Sequence, residues 1–201
     1  MTAGTPMPTE RERMLAGEFY DSRDPELLAL AQRARALLAR FNASAATDGP
    51  GRRALLDQLL GTAGPGVWIE PPFFCDYGAH ITIGAGTFIN VNCVLLDSAE
   101  IRIGEEGLLG PGVQLLTAHH PLRAADRLSA GRSRDDPRSP YRTQASPIRI
   151  GDRVWLGAGT IVLPGVTIGD NVTIGAGSLV TEDLPPDVLA FGHPCRVQRT
   201  L

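Results

Sequence analysis

Two adjacent histidines, His119 and His120, stand between an apolar run and a proline in the stretch LLTAHHPLR, residues 115–123, of a chain with only four histidines. Such a pair could supply a general base, a set of metal ligands, or a turn facing solvent. An imidazole titrates near neutrality, so it can take a proton from a hydroxyl and act as a general base. A catalytic zinc needs three protein ligands and an open position. The other histidines, His80 and His193, form no second pair at a spacing that would complete such a site, so no metal is expected. Asn90, in INVN, could donate to an oxyanion without adding charge, although an isolated asparagine is more often a turn former.

The composition narrows the partners. With a formal net charge of -3 and no concentrated basic run outside one loop, nucleic acid is not an expected partner. No stretch approaches the roughly 20 apolar residues that span a bilayer, and the N-terminus has no apolar signal region, so a cytoplasmic protein without a membrane partner is expected. Cys75, Cys93 and Cys195 are odd in number and widely separated, which argues against a disulfide framework and against a zinc knuckle.

Two kinds of element must position these residues. Residues 9–60 read as helical. Thr9 and Glu12 fit a capping box, and Asp24 followed by Pro25 opens a helix whose apolar stripe runs through Leu27, Leu30, Ala31, Ala34, Leu37, Leu38 and Phe41. NASAATDGPG reads as a turn, and RRALLDQLLG as a short helix ending at Gly61.

From about residue 67 the period becomes six. Aliphatic residues open successive hexads at Ile83, Ile89, Leu95, Ile103, Leu109 and Leu115, and again at Ile150, Leu156, Val162, Ile168, Ile174 and Val180. An amphipathic helix cannot have this period, and an ordinary antiparallel sheet would show a period of two. Three hexads close one triangular turn with the openers stacked inside, so the spacing predicts a mainly β fold, a parallel β-helix. The expected division is a helical acceptor-side segment over 1–62 and a β-helix over 63–201. A polar, arginine-rich loop, 121–147, is extruded from one corner.

MLAGEFYD, PPFFCDYG, FINVNCVLLD, LLTAHHP, the long second block of hexads and the closing GHPCRV occur in this order, and together they resemble the maltose, galactoside and nodulation-factor sugar O-acetyltransferases of the hexapeptide-repeat family. The resemblance covers nearly the whole chain. It implies a left-handed coil, acetyl-CoA as co-substrate, a sugar or sugar-like acceptor, and a homotrimer with shared active sites. It implies that His120, immediately before proline, is the catalytic base, and that Asn90 contacts the acceptor and stabilises the transition state. Asp21, Asp76 and Asp97 match acceptor-contacting positions, although some members carry the last carboxylate one residue later, where this chain has Ser98. Trp155 matches a wall of the pantetheine channel. Ala158 and Ala176 match backbone contacts to the pantetheine and thioester, the Ala158 N–H being a candidate oxyanion donor, and Thr181 follows them. Arg196 and Arg199 match positions near the nucleotide phosphates. Glu182 departs from the family, which commonly has lysine there. Two alternatives stand beside a sugar acetyltransferase: acetylation of an antibiotic or secondary metabolite on the same fold, and a non-catalytic hexapeptide-repeat scaffold.

Overall fold

A computed structural model describes residues 7–129 and 135–201; residues 1–6 of the helical segment and 130–134 of the loop lie outside the described residues. Helix α1 (Glu10–Leu15) starts with the expected capping box between Thr9 and Glu12, and α2 (Pro25–Asn42) starts on Asp24 with Pro25 in its first turn. Helix α3 (Gly49–Leu59) begins earlier than its sequence suggests. The Asp48 carboxylate accepts from the Gly51 N–H, and Pro50 is accommodated in the first turn, so residues read as a turn become helix.

The hexads fold as their period requires. Three parallel sheets form the faces of a prism. The first stacks Thr62–Ala63, Ile81–Ile83, Ile101–Ile103, Ile148–Ile150 and Thr167–Ile168. The second stacks Trp68–Ile69, Phe88–Ile89, Leu108–Leu109, Trp155–Leu156 and Thr173–Ile174, and continues into the C-terminal hairpin of Val188–Gly192 and Cys195–Thr200. The third stacks Phe73–Cys75, Cys93–Leu96, Gln114–Leu116, Ile161–Val162 and Leu179–Val180. The coil is left-handed. Every predicted opener points inward and is at most 3% exposed, and full burial of such a side chain is worth about 1.5–3 kcal/mol. One further coil, with Ala63, Ile69 and Cys75 at the six-residue spacing, precedes the first hexad recognised in the sequence.

Successive turns stack tightly at the corners. A Cβ on Gly110 would come within 2.7 Å of the Ala158 nitrogen in the next coil, and Gly112 turns the chain at φ +70°, so glycine is required at the first and favoured at the second. The helices close the open lower end, where a bare coil would expose its core. Asn42 exchanges two 2.9 Å hydrogen bonds with the backbone of Phe73, and the Arg53 guanidinium donates to the carbonyls of Ala63 and Gly64.

The long loop leaves the prism without breaking it. Ile101–Ile103 pairs directly with Ile148–Ile150, so the coil resumes in register across the insertion. Ala118–His119 pairs antiparallel with Gln144–Ala145 to make a stem, which continues through a bridge between Leu128 and Tyr141. Among the described residues, no helix is long and apolar enough to cross a membrane.

Candidate active site

The two histidines part company at the top of this stem. His120 is exposed, and its Nδ1 lies 2.8 Å from the carbonyl oxygen of Arg142, on the returning arm of the loop. A carbonyl can only accept, so Nδ1 carries the proton and Nε2 keeps its lone pair. The backbone thus selects the tautomer a general base needs. His119, in the stem, has its Nε2 3.4 Å from the Ser146 hydroxyl.

The corner from which His120 projects also gathers Asp21 and Asp76. Asp21 Oδ1 accepts from the Ser139 N–H at 2.8 Å and from the Arg23 N–H at 3.0 Å, so this carboxylate fastens the loop to the helical segment. The same junction is tied by the Tyr20 N–H donating to the Thr143 carbonyl and by the Gln144 amide donating to Gly17. Asp76 is half-buried. Its carboxyl is pushed up to about 6 by desolvation and by the negative charge of Asp97, against the opposing effects of the Ser98 hydroxyl and of Arg35.

Asp97 departs from the sequence reading. Its side chain is fully buried, and its carboxylate accepts from the backbone N–H groups of Asp76, Tyr77 and His80 at 3.1, 2.8 and 3.2 Å. His80 Nδ1 donates to the Asp97 carbonyl at 2.8 Å. Asp97 therefore holds the 76–80 loop from inside the coil and is not open to an acceptor. Ser98 is also buried, its hydroxyl 3.4 Å from Asp76. A signal for this was present: Cys93, Leu95 and Asp97 alternate with Val94 and Leu96, which puts the aspartate on the inward side of the strand.

Asn90, Ala158 and Ala176 lie elsewhere. They occupy the corner between the second and third faces, whereas His120, Asp76 and Thr181 occupy the corner after the third. The strand Cys93–Leu96 separates the two corners, which at ~3.3 Å per residue is on the order of 13 Å of extended chain. The Asn90 Oδ1 accepts from the Val91 N–H at 2.8 Å, leaving the Nδ2 end to donate outward. Ala158 and Ala176 are exposed on successive coils, and Trp155, 50% exposed, stands just before Ala158 on the second face. At the C-terminal hairpin Arg196 and Arg199 are exposed, and Arg196 lies 3.4 Å from Glu182, the residue of unexpected charge.

Comparison with known proteins gives the family. The maltose acetyltransferase hexapeptide capping motif matches residues 13–64, and the bacterial transferase hexapeptide family, of six repeats, matches residues 147–182. Nodulation protein L of Rhizobium meliloti is 47% identical over 94% of this chain and 98% of its own. The chain belongs to the hexapeptide-repeat acetyltransferase family. Two solved members superpose closely. A maltose O-acetyltransferase from Clostridium difficile has a TM-score of 0.89 at 39% identity, covering 98% of this chain and 99% of that one. A hexapeptide-repeat acetyltransferase from Vibrio cholerae, complexed with acetyl coenzyme A, has a TM-score of 0.85 at 40% identity, covering 96% and 99%.

The loop residues that support His120 were not singled out by the sequence. Arg142 acts through its backbone carbonyl, which no side-chain pattern reveals, and Tyr141, whose ring centroid lies 6.1 Å from that of His120, falls in a stretch without periodicity.

Proposed function

We propose that the protein transfers the acetyl group of acetyl-CoA to a hydroxyl of a sugar in a ternary complex, with His120 as general base. The observation that carries this reading is the bond from His120 Nδ1 to the Arg142 carbonyl, which leaves Nε2 as an exposed acceptor for an alcohol proton. His120 takes that proton as the sugar oxygen attacks the thioester carbon. The oxyanion of the tetrahedral intermediate is met by the Asn90 carboxamide or the Ala158 N–H, and collapse expels the CoA thiolate, which recovers the proton from the imidazolium. Asp21 and Asp76 orient the acceptor. Trp155, Ala158, Ala176 and Thr181 line the pantetheine path, and Arg196 and Arg199 serve the phosphates.

The separation of Asn90 and Ala158 from His120 supports a homotrimer. In a cyclic assembly the corner bearing Asn90 on one chain can face the corner bearing His120 on the next, so every site is built from two chains. The second face supplies a surface for such packing. Trp68, Phe88, Leu108 and Trp155 stand in register on consecutive coils, and three of them are between 43% and 50% exposed. The buried free cysteines, Cys75, Cys93 and Cys195, suit the reducing cytoplasm, where we place the protein.

The test is an acceptor screen with acetyl-CoA, following CoA release, over glucose, maltose, thiogalactosides, chitooligosaccharides and aminoglycoside or streptogramin scaffolds. Turnover with at least one sugar is expected. Turnover confined to the antibiotic scaffolds would overturn the sugar assignment, and CoA release with none of them would overturn it as well.

A further inference from the structure

Between the helical segment and the extruded loop lies a cavity of about 210 Å³, whose lining includes Glu10, Asp21, Arg138, Ser139, Tyr141 and Arg142. It adjoins the base. Tyr141 and Arg142 both line the cavity and touch His120, the first ring to ring and the second through its carbonyl.

Among the described residues that line the cavity the charges balance, with the carboxylates of Glu10 and Asp21 against the guanidiniums of Arg138 and Arg142. They are also engaged. Glu10 Oε2 accepts from the Asp21 N–H, Asp21 Oδ1 from the Ser139 N–H, and Arg138 is clasped by Asp136. Arg142 lies 3.7 Å over the Phe19 ring and donates to the Asp126 carbonyl. A fixed wall of this kind gives an anion or a cation no net attraction, but it presents many donors and acceptors to a neutral polyol. The volume is below the roughly 300 Å³ at which pockets for drug-sized ligands begin, so it suits one ring. Tyr141 adds an aromatic face, 50% exposed, against which the C–H face of a pyranose can lie.

We propose that this cavity is a second acceptor subsite, which holds the sugar unit adjoining the one acetylated, with Tyr141 as the stacking platform that sets preference for acceptor length. The proposal rests on the sugar-acceptor reading above. It assigns the long loop a task, since Arg138, Ser139, Tyr141 and Arg142 all belong to it.

The experiment measures kcat/KM for glucose, maltose and maltotriose, and for N-acetylglucosamine, chitobiose and chitotriose, in the wild type, Tyr141→Ala and Tyr141→Phe. In the wild type the disaccharide should exceed the monosaccharide in at least one series. Tyr141→Ala should lower the disaccharide-to-monosaccharide ratio about three- to tenfold, the range expected for one lost ring contact. Tyr141→Phe, which keeps the ring, should restore it. The Tyr141 backbone makes the local hydrogen bonds with Ser139 and Thr143, so truncating the side chain leaves them in place. An unchanged ratio in Tyr141→Ala, or equal losses on all acceptors, overturns the subsite while leaving the sugar reading intact. Failure of the wild type to acetylate any of the sugars overturns both.

Discussion

His120 and Asn90 stand at opposite ends of one prism face, with the strand Cys93–Leu96 between them. A single chain therefore does not bring the proposed base and the proposed oxyanion donor together, and the proposed sharing of each site between two chains has a measurable consequence. Taken alone, His120→Ala should lower turnover by at least about a hundredfold, and Asn90→Ala by about 10²–10³. Mixed after unfolding and joint refolding, the two inactive variants should regain activity. Random assembly of equal amounts in a ring leaves about one site in four with both residues intact, so about a quarter of wild-type activity is expected. No recovery in verified mixed oligomers would place both residues of each site on one chain. His119→Ala, which removes a ring lying beside the Ser146 hydroxyl, is the matched control and should stay near the wild-type rate.

Asp97 is expected to act on stability before it acts on sugar binding. Removing its carboxylate in Asp97→Ala strands the N–H groups of Asp76, Tyr77 and His80, and each unpaired buried donor costs about 1–3 kcal/mol. A fall in Tm on the order of 10 °C follows for a domain of this size. Thermal melts check it. An unaltered Tm accompanied by a raised acceptor KM would return Asp97 to the acceptor site.

Asp76 sets a pH dependence of known sign. Its folded value, raised from 3.8 to about 6, means that the folded chain holds this proton more tightly than the unfolded chain does. That contribution to stability is full below about pH 4 and is lost as the pH rises through about 6. Asp76→Asn, which cannot ionise, should therefore gain stability relative to the wild type at pH 7, by up to about 3 kcal/mol, with the difference shrinking toward pH 4. Denaturant titrations at the two pH values read this directly. A difference that grows on acidification would contradict the assigned burial.

Glu182 should weaken the co-substrate site. Its carboxylate lies 3.4 Å from the Arg196 guanidinium, which the proposed function assigns to the CoA phosphates. The pair is exposed, so its effect is modest: Glu182→Gln should lower the KM for acetyl-CoA about two- to fivefold, and less in high salt. An unchanged KM at low ionic strength would mean that Arg196 does not meet the phosphates.

The coil itself was open to reading because a six-residue period excludes an amphipathic helix and an antiparallel sheet, and each opener from Ile83 to Val180 lies inside. His120 was separable from His119 only through its proline neighbour and the resemblance that position carries. The reason it suits a base is its hold on the Arg142 carbonyl across 22 residues, which sequence spacing cannot express. Asp97 was misplaced for a related reason. A motif gives the type of a residue at a corner, whereas the direction of its side chain comes from alternation along the preceding strand, where an aspartate is an unexpected occupant of the inward side. Helix α3 was shortened because Gly49 and Pro50 read as breakers, although both are tolerated ahead of a helix capped by Asp48.

The direct pairing of Ile101–Ile103 with Ile148–Ile150 means that the structural rungs do not depend on how much chain hangs from the stem between them. On the proposed reading the acceptor side is in this sense a cassette: the chain beyond the Leu128–Tyr141 bridge can change in length and composition while the contact of His120 with Arg142 and the proposed co-substrate groove on the coils stay in place. One scaffold could thus be refitted for new alcohols without being redesigned for its acyl donor.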